Sequence, residues 1–184
     1  MKLQTAKTIL RYARQYMDLG DLRVAQTKED WVYLNHEQVI GVALEESADE
    51  RKWNEWMTLY IEETFNYVVD IDHMELFSLL HELGHHIVGE ICNDEEYYML
   101  TQEANNDDYA YRQIPDEYEA DKFAINFMKE HKYSYFILNL KGGANEKVKT
   151  KALKQLVKAA KNDSKILNRF VIWGYNSKVV KAIK

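Results

Sequence analysis

The stretch LLHELGHHIVGE, residues 79–90, sets three histidines within six residues, with a carboxylate beside the first. Its first part, His81-Glu82-Leu83-Gly84-His85, is an HExxH pattern. On a helix, positions i and i+4 lie on one face, so the imidazoles of His81 and His85 can reach a single metal ion. Glu82 is turned about 100° from His81, which sets it beside the ion and not on it. From there it can take a proton from a water polarised by the ion, the general-base role of zinc hydrolases. His86 projects about 100° from His85 and reads as a bystander. Gly84 gives room for close approach within the helix; a glycine there costs about 1 kcal/mol against alanine, which points to a packing or functional reason.

The sequence around the motif supports a helix. Met74, Phe77, Leu80, Leu83 and Ile87 fall at helical spacing and predict one buried face. Asp72 followed by Glu75 resembles a capping box that would start the helix at His73. Upstream, Leu3, Ala6, Ile9, Leu10, Ala13, Tyr16 and Met17 predict an amphipathic helix ending near Gly20. DLRVAQ, DWVYL and QVIGVAL are short β-prone runs, with the polar NHEQ as a turn, and predict a small antiparallel sheet of about three strands. A further helix is expected from Asp49 to about Tyr67, its Trp53, Trp56, Met57, Tyr60, Ile61, Thr64 and Phe65 forming a core stripe.

A catalytic zinc site needs a third protein ligand and an open position. The source lies 32 residues beyond His85, in Glu117-Tyr118-Glu119-Ala120-Asp121. Pro115 marks the start of a helix there, and Tyr118, Phe123, Ile125 and Phe127 supply its apolar contacts. Glu117 and Asp121 share a face at i, i+4. Glu117 can bind the ion while Asp121 accepts the free ring N–H of a ligand histidine. Glu119 is turned roughly 200° from Glu117, so the two cannot both face the metal, and Glu119 stands as the alternative third ligand. Two imidazoles and a carboxylate suit zinc better than magnesium or calcium. Tyr109, Tyr111, His131 and Tyr135 are candidates to steady an oxyanion. His36 and His73 read as surface or capping residues, and Cys92 as a small buried hydrophobe.

HELGHH followed after about thirty residues by EYEADKFA resembles the ImmA/IrrE family of zinc metallopeptidases. It is also similar to other gluzincins, including HtpX-type peptidases. The resemblance spans roughly residues 70–131. It implies a zincin-like fold, zinc held by His81, His85 and Glu117, Glu82 as catalytic base, and Asp121 as the partner that orients a histidine. HtpX-type enzymes are membrane-embedded, and no run here approaches the roughly 18 apolar residues of a span. ImmA/IrrE members cut repressor proteins of bacteria or mobile elements, and the resemblance implies that kind of substrate. The chain departs from the family in DHMELFSLLHE, where an RQRFTLAHE-like entry is expected. It departs again in INFMKEH, which stands where a Leu-Leu-Met-Pro-like stretch is usual.

Composition bounds the rest. At 184 residues, 46% of them apolar, the chain is long enough to bury a core and is expected to form a single α+β domain, mainly helical. One cysteine excludes a disulfide framework and a four-cysteine metal site. The start, MKLQTAKTILRYARQYM, lacks a signal-like apolar run, so a cytoplasmic protein that does not enter the membrane is expected. Charge is unevenly spread. Residues 1–140 carry 12 basic and 28 acidic side chains, whereas 141–184 carry 12 basic and 2 acidic.

Such a basic segment is either a solvated helical face or a contact surface for nucleic acid or an acidic partner. YSYFILNL, before it, fits a strand or a buried helix. Beyond KGGANE two amphipathic helices are expected, at about 146–161 and 164–173. Two functions follow: a zinc endopeptidase acting on a protein or peptide, and a zincin-like regulator that does not turn over substrate and works through 141–184.

Overall fold

The computed structural model describes residues 1, 3–27, 31–43, 48–69 and 71–131. The chain divides into two units, Met1–Glu130 and His131–Lys184, and the first is described below. Tyr135, the strand or helix expected of YSYFILNL, and the basic segment 141–184 with its helices lie outside the described residues.

Helix α1, Leu3–Ala13, buries Ala6, Ile9, Leu10 and Ala13 as their spacing requires, together with Tyr12. The chain then turns, and Gly20 takes a left-handed φ of +47°. Strand β1 (Arg23–Thr27) packs on α1, and β2 (Val32–Leu34) and β3 (Val39–Ala43) complete the sheet. NHEQ is a turn as expected: Asn35–Glu37 form one 3-10 turn, and Gln38 closes it at φ 50°.

The sheet is mixed, not antiparallel. Its order is β1-β3-β2, with β3 parallel to β1 and antiparallel to β2. Strands joined by short reversals alternate in direction, so the pairing depends on which strand takes the middle. The run VIGVA is buried at all five positions and takes the centre. Val32 and Leu34, at 36% and 38% exposure, are left on the β2 edge.

Helix α2 (Ala48–Phe65) buries Met57, Tyr60 and Ile61. A 3-10 turn at Ile71–His73 leads into α3, Met74–Val88. The helix begins one residue later than expected, at Met74, with His73 at the N-cap position and no side-chain cap bond from it. Glu75 pairs with the Met1 amine, so its carboxylate is spent on a tertiary contact. The expected one-sided stripe is also wider. Every residue from Leu76 to Gly84 is buried, because α3 packs on β2 and β3 and meets the last helix at Gly84. Phe77 and Leu80 are fully buried, each contributing about 1.5–3 kcal/mol relative to exposure. Ile87, expected inside, is 37% exposed, since the last turn of α3 runs past that cover.

Helix α4 (Asp94–Ala104) is capped by the Asn93 side chain, which accepts from the Glu96 N–H at 3.0 Å. The short α5, Asp108–Arg112, is capped by Asp107, which accepts from the Tyr109 and Ala110 N–H groups. Helix α6 runs Pro115–His131 with proline at its first position. Six α-helices and this sheet are the regular elements among the described residues, and none of those helices is long and apolar enough to cross a membrane.

Candidate metal centre

The site is built where α3 crosses α6. An added Cβ on Gly84 would lie 2.8 Å from both the Cα and the carbonyl oxygen of Ala120. The two helices therefore touch backbone to backbone, as the glycine within the helix suggested. Gly84 stands three residues after His81 and one before His85. Ala120 stands three after Glu117 and one before Asp121. The contact thus sets the two candidate i, i+4 pairs, His81/His85 and Glu117/Asp121, opposite each other.

His81, His85 and Glu117 form a group that could hold a metal ion. The two Nε2 atoms are 3.0 Å apart, His81 Nε2 is 3.3 Å from Glu117 Oε2, and His85 Nε2 is 3.6 Å from Glu117 Oε1. Ligand atoms placed tetrahedrally around an ion at about 2.0–2.1 Å are separated by about 3.3 Å. The observed distances bracket that value, and the donor set fits the group. Behind it, His81 Nδ1 donates to Asp121 Oδ1 at 2.8 Å, which leaves Nε2 as the ring nitrogen that faces the cluster. Asp121 is fully buried. Of the two glutamates that cannot both face the metal, Glu119 is the one that turns away, pairing with Lys122 at 2.7 Å, and it is not in the group.

Electrostatics separate the two histidines. Burial and Arg112 pull His81 down, but its bonds to Asp121 and Glu117 outweigh them and hold it at about 9. Burial, then the neighbouring His81, lower His85 to about 4. Burial would raise Glu117, yet its bond to His81 and the surrounding positive charge carry it well below the usual carboxylate range. Glu82 is 8% exposed, and burial raises its pKa against the opposing charges of His81 and Arg112.

Three residues that sequence reasoning missed complete the site. Arg112, 5% exposed, donates to Glu117 Oε2 at 2.8 Å, and the same nitrogen lies 3.3 Å from His81 Nε2 and 3.6 Å from Asp121 Oδ1. The Trp53 ring lies under the guanidinium, 5.2 Å from centroid to Cζ. The Tyr97 hydroxyl donates to Glu117 Oε1 at 2.9 Å, beside that of Tyr111 at 3.0 Å. Burial, then the Glu117 charge, raise both phenols, Tyr111 to about 12, so both remain donors at neutral pH. A signal for Arg112 was available: it is the only arginine or lysine between Lys52 and Lys122.

Of the other candidates, Tyr109 is half exposed and its ring packs edge-on against Tyr60. His36 is exposed on the 3-10 turn. His86 is outside the metal-ligand group, and its Nδ1 meets the Tyr33 hydroxyl at 2.8 Å, tying β2 to α3. Cys92 is buried, and its backbone N–H donates to Asp116. A cleft of about 450 Å³ opens on the cluster, lined by Tyr33 of β2, Glu82, His86, Tyr97 and Tyr111 among others. Compared with family models, curated proteins and solved structures, the chain finds no match.

Proposed function

We propose that this chain is a zinc-dependent endopeptidase with a zincin-like fold, similar to the ImmA/IrrE family, which cleaves a repressor or other regulatory protein of a bacterium, phage or mobile element. The observation that carries the reading is the convergence of His81, His85 and Glu117 in a cleft that also holds Glu82. Zinc bound there would supply Lewis acidity toward a peptide carbonyl and toward water.

The chain's own groups account for the remaining tasks. Glu82, adjacent in sequence to a ligand and raised in pKa by burial, takes the proton of the attacking water and returns it to the leaving amine. Asp121 keeps His81 in the tautomer that presents Nε2. Tyr97 and Tyr111 line the cleft with hydroxyls that donate to Glu117 Oε1, and either one would serve the oxygen that gains charge by turning its proton from Glu117 to the substrate. Strand β2 is an edge strand on the same cleft, where an extended peptide can add to the sheet through its main chain.

Glu82→Gln tests the reading. The variant should hold as much zinc as the wild type and lose peptide cleavage by at least about 100-fold. Unchanged cleavage would remove Glu82 from the chemistry.

A further inference from the structure

Glu117 and Asp121 are 4% and 0% exposed, so the site buries two carboxylates on adjacent turns of one helix. Buried carboxylates need compensating charge. A divalent ion supplies it when present, but the same two groups already converge on Arg112. Its guanidinium is itself buried and keeps its proton at all accessible pH values.

Both oxygens of Glu117 have hydrogen-bond donors without any ion. Oε2 takes the Arg112 bond, and Oε1 takes the hydroxyls of Tyr97 and Tyr111. Asp121 has one oxygen on His81, with Arg112 3.6 Å from it, while its other oxygen is buried and unpaired. Asp121 therefore depends on nearby positive charge more than on hydrogen bonds. Trp53 meets the guanidinium as a cation–π partner.

We propose that Arg112 is a built-in counter-charge that holds Glu117 and Asp121 in their ligand-presenting positions when no metal is bound, so that metal enters and leaves a site that stays folded. The inference rests on the metal-site reading above. Arg112 is a positioning residue here, and its effect must be larger in the metal-free protein than in the loaded one. A residue that only packs the core would matter equally in both.

The test compares thermal melts of the full chain, chelator-treated and zinc-loaded, for wild type, Arg112→Gln and Arg112→Lys, with bound zinc measured in each. Arg112→Gln should lower the metal-free Tm by roughly 10 °C and the zinc-loaded Tm by less than half as much. Arg112→Lys, which keeps the charge and loses the fork, should fall between wild type and Arg112→Gln when metal-free. Equal losses in both forms, or a larger loss with zinc, would overturn the proposal. If Arg112→Gln folds in neither form, Arg112→Lys decides: a smaller deficit with zinc supports the proposal, and an equal deficit overturns it. A wild type that binds no zinc and shows no shift would bring down the metal-site reading, and this proposal with it.

Discussion

Gly84→Ala asks one methyl group to enter the tightest contact of the site. The new Cβ would lie 2.8 Å from Ala120 Cα, 2.8 Å from its carbonyl oxygen and 3.2 Å from its carbonyl carbon. All three are backbone atoms of α6, so no side-chain rotation relieves them. Restoring ordinary contact at about 3.5 Å requires α6 to retreat by roughly 0.7 Å. Overpacking of this kind costs about 1–3 kcal/mol, and alanine returns about 1 kcal/mol of helix propensity. The net loss is about 0–2 kcal/mol, or a Tm lowered by roughly 0–8 °C, so the fold should survive.

The site is less tolerant, since metal–ligand distances hold within about 0.2 Å. Glu117 and Asp121 flank Ala120 and move with it, while His81 and His85 stay on α3. Zinc affinity, measured by competition with a chromophoric chelator, should fall by at least about 10-fold while the metal-free protein still melts cooperatively. Wild-type affinity together with a raised Tm would refute the reasoning, because it would mean that the helices are not in contact at Gly84.

Other substitutions separate the acidic residues of α6. Glu117→Ala should abolish stoichiometric zinc, whereas Glu119→Ala should leave zinc content unchanged, because Glu119 is engaged with Lys122 on the other side of the helix; elemental analysis of the purified variants reads both. Asp121→Asn keeps an acceptor for His81 but removes the charge, and should weaken zinc binding by about 10–100-fold in the same chelator competition. Cys92 is buried, and burial followed by the Asp116 carboxylate pushes its thiol up to about 11. The thiolate fraction falls as the pKa rises above the working pH, so modification by a disulfide reagent at pH 8 should be on the order of 100-fold slower in the native protein than in urea. Similar rates in the two states would place Cys92 outside the core.

Much of the site was legible because helical spacing is a local property. HELGH sets His81 and His85 on one face, EYEAD does the same for Glu117 and Asp121, and the rotation between Glu117 and Glu119 excludes one of them. The sheet was read less well. Local alternation identifies strands, but the middle place goes to whichever strand is buried on both faces, and that depends on what covers it. The start of α3 lies one residue beyond the expected His73, and Glu75 there is engaged by the Met1 amine, a contact that local spacing does not show.

By itself, then, the sequence determined which residues could be ligands and which faces they occupy, since 3.6-residue geometry and side-chain chemistry are fixed by order along the chain. The tertiary structure decided that the two faces meet. Gly84 and Ala120 are the small residues that let two helices approach to backbone contact. It also decided what surrounds Glu117. Arg112, Tyr97 and Trp53 come from three separate helices, and nothing in their local spacing marks them as neighbours until packing brings Arg112 and Tyr97 to the buried Glu117 carboxylate and Trp53 to the Arg112 guanidinium.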